Sequence, residues 1–501
     1  MAKKHKDRNY LKLRDPNDNL DFGRLIAEQD DNLAQYYVSD ERYLRRARNV
    51  DDPAVFFVGP KGIGKSAILQ MVRLVRKSDE NRVIDIRPDD LAFSALANVE
   101  ATSPILSDAG KNQWLFKALW DYILALEVFR REYPGENALS GWLSKMMQGE
   151  YEKEVRKLLR LSEGDGAVTL TSRILQLIHE IELSGEYGGA KAGAKATLDH
   201  KKGKSGESFQ LLSLVNSVAK RLPDNLRHTY YVLIDDLDLY WSDNPTQNSF
   251  IAALFTSLRH FSRPPNLKAV VALRENIYEA LPLVDRDKFH DVVCLVRWDY
   301  DSVRLMIEER VVFKLQIVKS EIWGGLFPEN GFDLIWTHSN GRPREAIRIA
   351  TLAATVATHE GHSRILREDM EAAIRSFSNE RIREITGEVL YKYPGLEFVV
   401  RKMSGWPKEF GFDKLKELVE LIGLEVELKE GGESRYAWAA GYAANPVGFI
   451  TILLECNILW MKLSRTDEAK PFDPLNPAEV TSERYFAVHP MFAPGLGLVG
   501  A

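Results

Sequence analysis

Two cysteines, Cys294 and Cys456, are all that 501 residues contain. So few exclude a disulfide scaffold or a cysteine-built zinc cluster and suit a reducing cytosol. Charge of one sign is also missing: 67 basic side chains stand against 72 acidic ones, a formal net charge of −5. The chain as a whole has no pull toward nucleic acid or an anionic membrane, so any such contact needs a local basic patch. Long apolar runs are lacking as well. The longest, GFITILLECNILWMKL (448–463), is interrupted by Glu455 and Asn457 and is too short to span a bilayer comfortably. It predicts a buried helix, and no membrane contact is expected. The ten histidines show no H-E-x-x-H spacing for a metal. The basic start, MAKKHKDRNYLKLRDPNDN, has no apolar stretch behind it, which predicts a mobile tail and not a secretory signal.

What is present is an ordinary globular composition, with 45% hydrophobic and 28% charged residues, and enough length for about three domains. Five apolar runs read as strands: 54–58, 82–87, 230–235, 267–274 and 291–298. Continuous rather than alternating apolar residues suit parallel strands covered on both faces. Helical patterns between them predict an α/β core with a doubly wound parallel sheet over 51–299, after a tail and lead-in segment at 1–50. Residues 88–229 are too long for a simple crossover and predict a large helical insertion. It ends in a flexible loop at 184–208, rich in Gly, Ala, Ser and Lys. Residues 300–385 read as helical throughout. After them come two amphipathic helices, LEFVVRKMSG and FDKLKELVELIG, the apolar helix at 448–463 and a terminal strand, RYFAVHPMF.

One motif names its chemistry. Gly59, Pro60, Lys61, Gly62, Ile63, Gly64, Lys65 and Ser66, followed by Ala67, match G-x-x-x-x-G-K-[ST] between an expected strand and an expected helix. The glycines let backbone N–H groups converge on phosphate oxygens, and the helix N-terminus adds its positive end. Lys65 is expected to reach the β- and γ-phosphates, and the Ser66 hydroxyl to ligate Mg²⁺. The run YYVLIDDLDLYW then supplies carboxylates at a strand end. Asp235 is the expected second Mg²⁺ contact, and Asp236 is placed to polarise an attacking water, with Asp238 as a possible helper.

Arginines complete the expected site. Arg274, with Asn276 beside it, ends the strand ALREN and is a candidate sensor of the γ-phosphate, although a surface ion pair explains an arginine there equally well. Arg342 and Arg344, in HSNGRPREAIRIA, open a helix at a Gly-Pro turn and could swing over the phosphates from a lid. Arg259 and Arg263 are speculative fingers toward a neighbouring subunit; capping a helix C-terminus is their simpler role.

This order of motifs resembles the AAA+/STAND group of ATPases. Within that group the chain is similar to bacterial P-loop ATPases related to a cyanobacterial prototype. The carrying features are DFGRLIAEQDDNLAQYYV, GPKGIGKSAI, LIDDLD, ALREN, VRWDYDSVRLMIEERV, GRPRE and the terminal HPMF. They run from about residue 20 to the end. The resemblance implies a P-loop NTPase core with strand order 5-1-4-3-2, a helical lid over 300–385 and a winged-helix-like domain over 386–501. It also implies an oligomeric switch using ATP and Mg²⁺, of a kind met in bacterial defence against phage. Asp-Asp replaces the Asp-Glu common in AAA+ motors, which favours a slow switch over a fast motor. No second effector module is legible, so a separate effector protein and a homo-oligomer are the expected partners.

Two other readings compete with a regulatory ATPase. One is a DNA-binding initiator or loader with FDKLKELVELIG as recognition helix. That helix carries Asp413, Glu417 and Glu420 against only Lys414 and Lys416, so DNA is possible but not favoured. The other is a nucleotide-binding scaffold with little turnover.

Overall fold

The computed structural model of the chain describes residues 10–11, 21–38, 41–76, 82–87, 109–132, 220–222, 226–239, 241–261, 266–389, 392–428, 436–472 and 479–499. The expected flexible loop at 184–208, and most of the expected insertion, lie outside these. The described residues fall into two compact units. A sheet unit takes 26–34 and 39–297; a helical unit takes the residues up to 25, 35–38 and those from 298 onward.

The sheet unit is built on five parallel strands: β1 (Phe56–Gly59), β2 (Val83–Ile86), β3 (Tyr230–Ile234), β4 (Leu267–Arg274) and β5 (Val293–Leu295). Their order across the sheet is β2-β3-β4-β1-β5, which from the other edge is the expected 5-1-4-3-2. The three central strands are buried along almost their whole length, as their continuous apolar runs require. Each buried Val, Leu, Ile or Phe stabilises the fold by about 1.5–3 kcal/mol. β5 differs from its expected span 291–298: it is a three-residue edge strand, and Leu295 is exposed on it.

Helices flank the sheet. Helix α1 (Glu41–Arg48) precedes β1, and the Tyr231 hydroxyl on β3 donates to the Arg48 carbonyl at 2.7 Å. Helix α2 (Lys65–Val75) follows β1 and buries Ile68, Leu69, Met71 and Val72. Helix α3 (Ala109–Glu132), within the expected insertion, packs on α4 (Pro245–Phe261). Trp120 is fully buried there and donates its indole N–H to the Phe250 carbonyl at 2.9 Å. Asp121 accepts from Ser257 at 2.6 Å. Across the sheet face, Phe56 of β1 stacks on Phe255 of α4 with ring centroids 3.6 Å apart and planes within 2°. This insertion helix is thus part of the sheet unit's core. After β4 comes the short α5 (Glu275–Ala280).

The helical unit opens with α6 (Tyr300–Leu315), whose N-cap Asp299 accepts from the Ser302 amide. Helices α7 (Gly331–Ser339), α8 (Pro343–His359) and α9 (Arg367–Val389) follow, with Pro343 in the first turn of α8, where its missing N–H costs nothing. Pieces of the lead-in segment belong to this core. Phe22 is buried and its carbonyl accepts from Arg310 of α6 at 3.0 Å, while Tyr10 and Leu11 donate their amides to the Ser363 carbonyl.

The last part of the helical unit runs α10 (Leu396–Arg401), β6 (Glu409–Gly411), α11 (Phe412–Leu428), α12 (Pro446–Glu455), β7 (Leu459–Lys462) and β8 (Tyr485–Val488). The strands form an antiparallel sheet in the order β6-β8-β7. A further short helical turn, Ala437–Ala440, lies between α11 and α12; apart from it the succession α-β-α-α-β-β is a winged-helix arrangement, as the resemblance implies. Two details correct the sequence reading. The apolar run 448–463 is not one helix: α12 ends at Glu455, Asn457 takes a left-handed φ of 52°, and the chain returns as β7. FDKLKELVELIG also lies in α11, whereas the helix that leads into β7 and has the recognition position is α12. A short closing turn, α13 (Ala493–Leu496), follows β8.

Candidate functional site

In a parallel sheet the loops after the strands gather at one edge, and that is where the expected nucleotide residues meet. Gly59 ends β1 and leads into the loop through Gly64. Gly62 and Gly64 take φ values of 82° and 99°, a region that L side chains avoid, so these glycines are required by the backbone. Gly59 is needed for a different reason. A Cβ there would stand 3.0 Å from both Ile63 Cγ2 and the Val296 carbonyl oxygen, where the loop passes the end of β5. Ile63 is buried and pins the loop, while Lys61 is exposed. The Lys65 ammonium folds back across the loop and donates to the Gly59 and Pro60 carbonyls at 2.8 and 2.9 Å. A cation is thereby held at the mouth of a cradle of backbone amides.

Asp235 follows β3 and is buried. Burial pushes its carboxyl up to about 6; the Asp236 amide and the Ser66 hydroxyl pull it down, and the charges of Asp236 and Glu28 add to the rise. Its Oδ1 accepts the Asp236 amide at 2.9 Å, and its Oδ2 is buried with no partner at hydrogen-bond distance among the described residues. A buried carboxylate with one orphaned oxygen and a hydroxyl nearby on the first turn of α2 fits a hydrated Mg²⁺, with Ser66 and Asp235 as the residues that would hold it.

Asp236 sits at φ 61°, a left-handed conformation that Asp tolerates better than most residues. Burial raises its pKa, opposed by Arg87, whose guanidinium lies 3.7 Å away, with Asp238 and Glu28 adding to the rise. Arg73 of α2 pairs with Asp85 of β2 through Nε at 2.8 and 3.0 Å. Glu28, Arg73 and Arg87 were not singled out in the sequence, because their approach to the acidic pair depends on three separate chain segments. Only Glu28 had a signal, lying within the lead-in motif DFGRLIAEQD.

Arg274 reaches the expected edge. Its backbone is in register with Gly59 across the β1–β4 pair. Its side chain is tied to Asp238 in an ion pair, so the two residues read as sensor and helper hold one another. Asn276 is exposed on α5 and Arg259 is exposed near the end of α4, whereas Arg263 lies outside the described residues. Arg297, after β5, was also missed. It pairs with Glu275, and the Tyr43 hydroxyl both accepts its amide and donates to its carbonyl, at 2.9 and 2.8 Å.

Arg342 and Arg344 belong to the helical unit. Arg342 is turned inward, with its Nη1 3.7 Å from Glu345. Burial raises the Glu345 pKa, opposed first by Arg342 and then by Arg381 and Arg344. His489 of the terminal HPMF lies in the same interior. Its Nδ1 accepts the Met491 amide at 2.9 Å, and burial, with Arg342 and His338 nearby, pushes it down to about 3. The imidazole is neutral, and its ring packs edge-on against Trp460 and Phe492.

Known proteins resemble parts of this architecture. A putative transposon gamma-delta 80.3 kDa protein of Escherichia coli (strain K12) is 21% identical over 455 residues, covering 86% of this chain and 61% of its own. The chain thus spans about three fifths of that relative's length. The Aeropyrum pernix ORC1 protein, solved in complex with DNA, aligns over 93% of both chains at 13% identity and a TM-score of 0.38. The Aeropyrum pernix ORC2 protein, solved as ADPNP–ADP complexes, aligns over 98% of this chain and 96% of its own at 13% identity and a TM-score of 0.35. Residues 301–386, which span α6 to α9, match the family described as the FunZ-associated C-terminal helical domain.

Proposed function

We propose that this chain is a Mg²⁺-dependent P-loop ATPase that works as a regulatory switch. One observation carries the reading: the phosphate-binding loop with Lys65 and Ser66 stands beside a buried Asp235 whose Oδ2 has no hydrogen-bond partner among the described residues. Lys65 and the loop amides, from Gly59 to Ala67, bind the phosphates. Bound Mg²⁺ would neutralise the charge that develops on them. Asp236 takes the proton of the attacking water. Its own pKa, raised by burial, makes it a better base than an exposed aspartate.

Arg274, Arg342 and Arg344 are proposed as the residues that report the γ-phosphate. Arg274 would do so by exchanging Asp238 for phosphate. The output is control of a separate effector protein by a homo-oligomer in the cytoplasm, and the setting implied by the resemblance is defence against phage.

Lys65→Ala tests the reading. Binding of a fluorescent ATP analogue should fall at least 100-fold while the melting temperature holds, and an unchanged affinity would sink the proposal. If Asp236→Asn loses turnover but keeps ATP, the chain is a hydrolase; if the wild type shows no turnover even beside its effector, it is a nucleotide-binding scaffold. The initiator-type reading is favoured by the winged-helix order of elements alone. In the phage setting, plaque counts should separate wild type from Lys65→Ala.

A further inference from the structure

The winged-helix module carries the wrong charge for DNA and an apolar stripe that is exposed among the described residues. From Tyr436 through Met461, which includes all of α12, there is no lysine or arginine. A helix at the recognition position without a cation cannot neutralise phosphates, and phosphate contacts supply most of the affinity of such modules. The wing gives no compensation: between Leu463 and Arg484 five acidic residues outnumber three basic ones.

The second helix presents a different surface. α11 buries Leu415, Leu418, Val419 and Ile422 on one side. On the other, Leu421, Leu424 and Leu428 stand 50%, 53% and 72% exposed at i, i+3 and i+7 spacing, which forms one continuous stripe. Around it lie Glu417, Glu420 and Glu427, one turn away along the helix. Lys414 and Lys416 are engaged by Glu417 and Glu420. The helix as a whole carries five carboxylates against two ammonium groups.

We infer that this stripe docks an amphipathic helix of a partner protein whose leucine-type seam is flanked by lysine or arginine. A helix in this position would bury the three leucines and meet the carboxylate rim with opposite charge. A second copy of the chain fits less well, because antiparallel self-pairing about Leu424 brings Glu420 of one copy against the Glu427 end of the other. The inference rests on the proposal that the chain controls a partner, and it names the surface that does so.

The test uses the full chain and a fluorescein-labelled synthetic amphipathic peptide with a leucine seam and lysine flanks. A glutamate-flanked peptide and a DNA duplex serve as comparisons, all followed by anisotropy. The basic peptide should bind the wild type, and Leu424→Ser should weaken it about tenfold. Leu421→Ser is a second variant, and fluorescent ATP binding is measured on each. Unchanged ATP affinity with lost peptide binding supports the docking surface, whereas Lys65→Ala should give the reverse pattern. Equal peptide binding by wild type and both leucine variants would overturn the proposal. So would salt-sensitive DNA binding that exceeds peptide binding, or a dimer that the leucine variants dissolve.

Discussion

Asp236 donates its backbone amide to Oδ1 of the preceding Asp235, and the other oxygen of Asp235 is left buried with no hydrogen-bond partner among the described residues. One carboxylate is thus half satisfied by the fold and half left over. That division makes it costly to the fold and useful to the site.

The cost can be measured. The Asp235 pKa is raised to about 6, so the folded chain binds this proton more tightly than the unfolded chain does. Stability from this group is present below about pH 4 and is lost as pH rises through 6. Asp235→Asn should therefore stabilise the chain at pH 7.5, by at most about 3 kcal/mol from a shift of about two pH units, and change little near pH 4. Thermal melts at the two pH values check this. The same variant should lose the Mg²⁺-dependent part of ATP affinity. In the wild type, that part should weaken as pH falls below 6, because a protonated carboxyl cannot hold the cation.

Arg274 and Asp238 form a pair that can be taken apart from either side. If Arg274 exchanges this partner for phosphate, Arg274→Ala should lower ATPase turnover about tenfold or more, while Asp238→Ala should leave it within a few-fold. Equal losses from both single variants and from the double variant would make the pair structural only. Steady-state turnover on the three variants decides between these outcomes.

Gly59 leaves no room for a methyl group between Ile63 and the Val296 carbonyl. Gly59→Ala should cost about 1–3 kcal/mol in stability through overpacking, and it should weaken nucleotide binding because the loop has to shift. Gly324, where an added Cβ meets nothing but φ is 87°, provides a contrast in the helical unit. There, Ala should strain the backbone without changing ATP affinity.

Trp120 anchors the insertion helix to the sheet unit through its ring against Phe250 and its N–H to the Phe250 carbonyl. Trp120→Ala should destabilise the chain by about 3–5 kcal/mol. Limited proteolysis should then cut within 109–132 before it cuts the strands. If the cleavage order matches that of the wild type, the helix is held by something else.

The sheet and its phosphate loop were legible because their signals are local. Continuous apolar runs such as YYVLI and LKAVVAL have few alternatives to a buried parallel strand, and a loop that must take positive φ twice needs its glycines where they stand. The end of α12 was harder to read. Apolar residues run on from Phe449 to Trp460 with a helical look, and the break rests on Asn457 adopting a left-handed φ, which its side chain permits but does not dictate. The partners of the site residues were not legible. Arg274 meets Asp238, Asp236 meets Arg87, and Arg297 meets Tyr43 of α1 only once segments far apart in sequence lie side by side. No spacing rule encodes that meeting. Arg342 shows the same limit: its place at a Gly-Pro turn is legible and suggests a lid arginine, whereas its nearness to Glu345 and His489 is not.

The lead-in segment bears on how this protein can be cut for study. Phe22 fills a slot beside Arg310, residues 26–34 are counted with the sheet unit, Tyr36 packs on Phe313, and Arg48 receives the Tyr231 hydroxyl. Consecutive stretches of fewer than thirty residues are therefore shared out between both units. An expression fragment that begins at the phosphate-binding motif would remove buried side chains from each unit at once, and insolubility of that fragment would say nothing about the nucleotide site.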